Sequence, residues 1–185
     1  KPSTYTIKLD TQAPALTVKA MTPDTGVFSS DEITSSTTPT YTGTAEAGVA
    51  VRILNAQGSV LVSGVTDSRG AWLLKLPAMA DGVHVLTFAA EDLAGNIQTS
   101  SRTLVVDTTA PALAQILSIT PDTGASDSDS ITNAANVELA GTAEANAQLK
   151  VFVQGKLVAT TTADHAKFKE LQKVHLLIAH FLIRF

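Results

Sequence analysis

Two stretches concentrate the side chains best able to do chemistry. MTPDTGVFSSDEIT (residues 21–34) carries Asp24, Asp31 and Glu32, and ITPDTGASDSDSIT (119–132) carries Asp122, Asp127 and Asp129. Carboxylates this closely spaced offer hard oxygen ligands to a divalent cation. Asp, Ser and Gly are also ordinary turn formers, so spacing alone leaves both readings open. Between the two copies only Asp122 and Asp129 repeat an aspartate, since Ser29 stands where the second copy has Asp127. Other chemistries lack their parts. There is no cysteine, which excludes disulfides, thiolate zinc sites and a cysteine nucleophile. No HExxH, Ser/His/Asp set or phosphate-cradling glycine loop is present, so no enzymatic role is expected.

Those loops must be held by something, and composition points to β-structure. The apolar share of 44% is that of a globular chain, while aromatic residues make up only 5%. The core must therefore rest on Val, Leu, Ile and Ala, and the frequent Thr and Val favour strands. The formal net charge of −4 is uneven: residues 165–185 hold four Lys/Arg and one Glu, which leaves −7 on residues 1–164. An acidic body disfavours nucleic acid as a partner and is compatible with cations. No stretch of 18 apolar residues suggests a membrane-spanning helix.

An internal repeat organises the chain. LDTQAPAL at Leu9 aligns with VDTTAPAL at Val106, an offset of 97; TPDTG at Thr22 and YTGTAEAG at Tyr41 align with Thr120 and Leu139, an offset of 98. A period near one hundred residues fits one domain per repeat. The organisation expected is the last strand of a preceding unit (1–10), a complete unit (11–107), a partial second unit (108–164) and an atypical tail (165–185). Strands are predicted over 14–21, 38–44, 49–55, 59–66, 71–77, 83–91 and 98–106, separated by turn signals such as DSRG and ADG. Trp72, Leu74 and Leu76 alternate with Leu73 and Lys75, and His84, Leu86 and Phe88 share one face. This predicts an all-β fold, an antiparallel sandwich of immunoglobulin type, with Trp72, His84, Leu86 and Phe88 as structural core.

DTTAP (107–111), GTAEAG (43–48), DSRGAW (67–72), MADG (79–82) and EDLAGN (91–96) together resemble the bacterial Ig-like tandem repeats of Bap-type and RTX-type surface adhesins, over residues 5–164. Each motif alone is weak; their order and repetition carry the resemblance. It implies an Ig-like sandwich in a long array, export by a one-step (type I) system, and a secreted or cell-surface spacer used in adhesion and biofilm. It also implies calcium at the junctions between neighbouring repeats. His84 stands where the family usually has a tyrosine, and a neutral imidazole could donate the hydrogen bond instead.

In such a sandwich the chain enters at one pole and leaves at the other. Asp10, Glu46, Asp92 and Asn96 belong at the pole where it enters. Asp24, Asp31 and Asp107 belong where it leaves, facing Glu144 of the next unit. Carboxylates gathered there repel one another unless a cation lies between them. These eight residues are the metal candidates. The competing function class is a ligand- or carbohydrate-binding accessory module of a secreted protein, which would need an exposed aromatic row; Trp72, alternating with leucines, reads as core.

The tail breaks the pattern. After Asp164 the Trp strand and ADG do not recur, and HAKFKELQKVHLLIAHFLIRF follows. Residues 166–180 could form a helix with Phe168, Leu171, Val174 and Ile178 on one side. The tail reads as an end introduced by frameshift, truncation or cloning, as a helix covering the unfinished sandwich, or as a membrane-surface helix. An unfinished sandwich also exposes strand edges through which copies could associate.

Overall fold

The computed structural model describes residues 5–26, 28–134, 136–145, 147–153, 155–164, 167–172 and 181–184. The chain divides into two compact units, residues 1–109 and 110–185. Among the described residues there are fourteen strands, and no helix long and apolar enough to cross a membrane.

All seven strands expected in the first unit are present. They are β1 (Leu16–Thr22), β3 (Thr40–Ala45), β4 (Ala50–Leu54), β5 (Val60–Val65), β6 (Ala71–Lys75), β7 (Gly82–Glu91) and β8 (Ile97–Val106); an eighth, β2 (Ile33–Thr34), was not foreseen. One sheet has the order β1-β3-β6 and the other β2-β8-β7-β4-β5. Every pairing in the unit is antiparallel except β2 with β8, which is parallel. Period-two alternation explains the layering. Trp72, Leu74 and Leu76 point inward between exposed neighbours, and Val51 and Ile53 meet Leu86 and Phe88 in one core with Val18, Tyr41 and Leu104. Phe88 lies at the centre, with ring centroids 4.9 Å from Tyr41 and 6.0 Å from Trp72. His84 is only half-buried, so it belongs to the rim of the core and not, as expected, to the core itself. Its ring extends from the end of β7, where the sheet opens towards the ADG turn.

Gly43 makes room for the tryptophan. A Cβ there would collide with the Thr17 carbonyl oxygen and the Trp72 ring, which lies opposite it in the β3–β6 register. The first glycine of GTAEAG is thus required by close approach and not by an unusual φ.

The second unit contains β9 (Gln115–Thr120), β10 (Val137–Thr142), β11 (Gln148–Val153), β12 (Lys156–Thr162), β13 (Lys167–Gln172) and β14 (Phe181–Arg184). Its sheets have the orders β13-β10-β9 and β12-β11-β14. The helical reading open for 166–180 does not hold at residues 167–172, which are strand, while residues 166 and 173–180 lie outside the described residues. The cause is backbone pairing. The edge of β10 presents unpaired donors and acceptors that template any extended segment, and β13 takes it. Thr142 stands opposite Lys167 as Thr44 stands opposite Ala71, so β13 occupies the place of β6 although its sequence shares nothing with AWLLK. Among the described residues the core of this unit comprises Ile119, Val137, Leu139, Val151 and Ala159 in one cluster and Ala143, Leu149 and Ala163 in another.

Candidate functional site

In the first unit the antiparallel course of the strands sorts the loops into two poles. Asp10, the β3–β4 loop with Glu46 and the β7–β8 turn with Asp92 and Asn96 lie upstream, where the chain enters. The β1–β2 loop with Asp24 and Asp31, and Asp107 after β8, lie downstream, where it leaves.

At the upstream pole, Lys8, Asp10, Glu46, Asp92 and Leu93 line one groove of about 410 Å³. Asn96 ties two of its sides together: its Nδ2 donates to Asp92 Oδ2 at 2.9 Å and to the Asp10 carbonyl at 3.2 Å. Asp92 Oδ1 accepts from the amides of Ala94 and Asn96. The Asn96 side-chain bond, followed by these backbone amides, holds the Asp92 carboxyl below its ordinary value. Glu46 is placed by Thr66, a buried threonine whose Oγ1 donates to the Glu46 carbonyl at 2.6 Å and accepts from Val49 N at 3.0 Å. In the second unit Ala163 stands at the position of Thr66 and keeps only the backbone bond, Ala163 N to Ala147 O.

At the downstream pole Asp31 and Asp107 each cap a local turn, and Asp24 braces the β1–β2 loop across its width. Asp31 Oδ1 accepts from Ile33 N at 3.1 Å, and Asp107 Oδ1 from Thr109 N at 3.0 Å. Asp24 Oδ2 accepts from Glu32 N at 3.2 Å, while its Oδ1 is buried without a partner. Glu32, at φ 61°, turns its side chain inward. Its carboxylate accepts from Tyr41 OH at 3.1 Å and pairs with Arg102 at 3.4 Å. The second unit repeats this loop closely. Asp122 Oδ2 accepts from Ser130 N, Asp129 Oδ1 from Ile131 N, Ser130 sits at φ 61°, and Asp122 Oδ1 is buried without a partner. Glu144, in that unit, accepts from Ala112 N at 3.2 Å.

The turn role is therefore realised at Asp31, Asp92, Asp107 and Asp129, whereas Asp24 and Glu144 tie more distant stretches of chain together. Asp10 follows the same pattern, accepting from Gln12 N at 3.1 Å. An aspartate that caps a turn with one oxygen keeps lone pairs for a cation, so the two roles are compatible. Within the chain, however, no group of three or more His, Asp or Glu among the described residues converges to hold a metal. Calcium takes roughly six to eight oxygen ligands, more than these carboxylates bring together among the described residues.

Three contributors were not singled out from the sequence. Thr66 and Arg102 are two of them. The third is Asp81 of MADG, whose two carboxylate oxygens accept from Thr108 Oγ1 at 2.9 and 2.8 Å and so fasten the start of the DTTAP linker. Hairpin arithmetic points to it: β7 and β8 pair Gly82 with Val106, which sets residue 81 beside residue 107. His84 Nε2 lies 2.8 Å from the Ala80 carbonyl oxygen. A carbonyl only accepts, so this nitrogen carries the proton and the imidazole supplies the corner bond.

Comparison with known proteins gives one family. The bacterial Ig-like domain profile matches residues 10–108. No curated protein sequence matches the chain. Among solved structures, CopC from Methylosinus trichosporium OB3b is similar at 20% identity and a TM-score of 0.35, over 50% of this chain and 94% of that one. The BSP domain of a biofilm-associated protein is similar at 16% identity and a TM-score of 0.36, over 92% of this chain and 26% of that one. A Ca2+-stabilized adhesin that helps an Antarctic bacterium bind ice is similar at 21% identity and a TM-score of 0.36, over 95% of this chain and 48% of that one. The chain thus spans less than half of either of the last two.

Proposed function

The chain belongs to the bacterial Ig-like domain family, and from that premise we propose that it is a structural spacer repeat of a bacterial cell-surface adhesin, stiffened by calcium at its interdomain junctions. The observation that carries this reading is where the polar and aromatic side chains sit. Carboxylates crowd the two poles through which the chain enters and leaves, while Tyr41, Trp72 and Phe88 are turned into the core. A spacer needs chemistry at its ends and inertness along its flanks. A carbohydrate-binding module needs the reverse, an aromatic platform on an exposed face.

On this reading Asp24, Asp31 and Asp107 supply one half of a junction and Glu144 contributes from the following unit. Asp10, Glu46, Asp92 and Asn96 supply half of the preceding junction. When bound, calcium neutralises mutually repelling carboxylates and ties two sandwiches into one rod. The protein acts outside the cell as a non-enzymatic element of adhesion and biofilm, exported by a type I system, with neighbouring repeats as its partners.

Calcium titration of the 185-residue chain, followed by small-angle scattering and thermal melting, tests the proposal. Calcium should lengthen the particle and raise its melting temperature, and chelator should reverse both. No gain with calcium and no loss with chelator would refute the junction.

A further inference from the structure

The first and last strands of the first unit are joined across the two sheets through one side chain. Arg102, on β8, sends Nη2 to the Val18 carbonyl oxygen of β1 at 3.1 Å and Nη1 to Glu32 Oε1 at 3.4 Å. A bulge between Val18 and Ala20 interrupts the β1–β3 register beside that carbonyl. Two backbone bonds extend the connection: Val105 N donates to Glu32 O and Asp107 N to Thr34 O, both at 2.9 Å.

The direction of these strands matters. The β1–β2 loop folds back on itself, with Thr25 N bonded to Ile33 O and Thr34 Oγ1 to Pro23 O. The downstream end of β1 therefore lies beside β2. Strand β2 runs parallel to β8 and pairs with its last residues, Val105 and Val106. Strands β1 and β8 consequently run the same way. Tension applied through the flanking chain enters at the start of β1 and leaves at the end of β8. It slides the two strands past each other lengthwise and loads the Arg102–Val18 bond together with the bonds of β8 to the β1–β2 loop and β2, in shear, instead of peeling them one after another.

We propose that Arg102 is a shear pin that ties β1 and the β1–β2 loop to β8, so that the domain resists tension along its own chain axis more than in other directions. Arginine suits this task because its planar fork reaches two acceptors at once, which a lysine ammonium on a flexible stem does not reproduce. The inference deepens the spacer reading and rests on it for the claim that tension is the working load. The pin itself is a property of the fold and is measured without calcium.

The absence of native cysteine allows attachment points to be placed freely in the full chain. Thr11→Cys with Ala110→Cys loads β1 against β8; Thr11→Cys with Ser68→Cys pulls from two points at the upstream pole. Force-clamp unfolding should show Arg102→Met and Arg102→Lys unfolding about tenfold faster than the parent through the first pair, the effect of losing a charge-assisted hydrogen bond at the barrier. Through the second pair the acceleration should be smaller by a factor of about three or more. Equal acceleration in both directions would mean general destabilisation and would overturn the proposal, as would no acceleration through the first pair. Calcium-dependent stiffening is absent from this readout. A failed calcium titration with a direction-dependent Arg102 effect would sink the calcium junction and leave the pin standing; the converse result would sink the pin alone.

Discussion

Tyr41 donates its hydroxyl to Glu32 at 3.1 Å, and the second unit has replaced both partners together, with Leu139 and Ser130 at the aligned positions. A buried phenol needs an acceptor and a buried glutamate needs donors, so losing one alone would strand the other. Burial first, then the Glu32 charge and hydrogen bond, push the Tyr41 phenol well above its ordinary value of 10.0. Because the folded-state value is raised, the neutral phenol favours the folded state. Its contribution is fully present below the unfolded value and is lost as pH climbs beyond it. In a Tyr5→Phe background Tyr41 is the sole tyrosine, so phenolate absorbance should stay silent beyond the pH at which a free phenol ionises, and should then rise together with unfolding. Smooth ionisation without unfolding would contradict the buried pair. Tyr41→Phe should cost about 1 kcal/mol and weaken this alkaline limb.

Much of this architecture was legible in the sequence because it follows from period two and from repetition. The seven strands announced themselves by alternation, and the repeat located both poles. Strand β2 escaped because a two-residue parallel bridge at Ile33 and Thr34 has no alternation to read. Asp81 escaped because ADG reads as a turn, and its partner Thr108 is 27 residues away in sequence. The helical reading of the tail failed at residues 167–172 for another reason: apolar spacing reports which face a segment could bury, but not that β10 offers an open edge. Within the first unit Asp31, Asp92 and Asp107 lie on the loops read from the sequence, and their hydrogen bonds are those of turn caps, a role that composition cannot separate from cation binding.

Gly43→Ala should be among the most damaging single substitutions in the first unit. The added methyl group meets the Thr17 carbonyl oxygen on one side and the Trp72 ring on the other, so relief requires either separating β1 from β3 or expelling the indole. Overpacking of this kind costs about 3 kcal/mol. Trp72 is the single tryptophan in the chain, so urea unfolding followed by its fluorescence reports on this unit directly. The variant should show a lower midpoint and a red-shifted native spectrum. An unchanged midpoint would mean that β3 and β6 are less tightly apposed than described.

Asp81→Ala should loosen the start of the linker while leaving the sandwich folded. The Asp81 carboxylate holds the Thr108 hydroxyl and is 3.3 Å from the Thr108 amide, all near the surface, so the stability cost should stay near 1 kcal/mol. The local effect should be larger than the global one. Exchange of the Thr108 amide should accelerate about tenfold, while amides in β7 and β8 keep their protection. Uniform acceleration across those strands would show that the contact supports the whole hairpin instead of the linker.

Asparagine and alanine variants at Asp31 and Asp107 separate the turn-capping role from the cation-binding role. Each aspartate accepts one amide hydrogen bond from the residue two positions on, and an asparagine side-chain oxygen can accept the same bond. Without calcium, Asp31→Asn and Asp107→Asn should therefore melt close to the parent, whereas the alanine variants should lose about 1 kcal/mol each through the missing turn bond. With calcium, asparagine and alanine should be alike, because each removes the anionic oxygen that a hard cation favours. Both should reduce the calcium-induced rise in melting temperature, and Asp127→Ala, at a position where the first copy has Ser29, should reduce it less. If the asparagine variants keep the full calcium response, these two carboxylates serve only their turns, and any cation at the downstream pole must find its charge elsewhere.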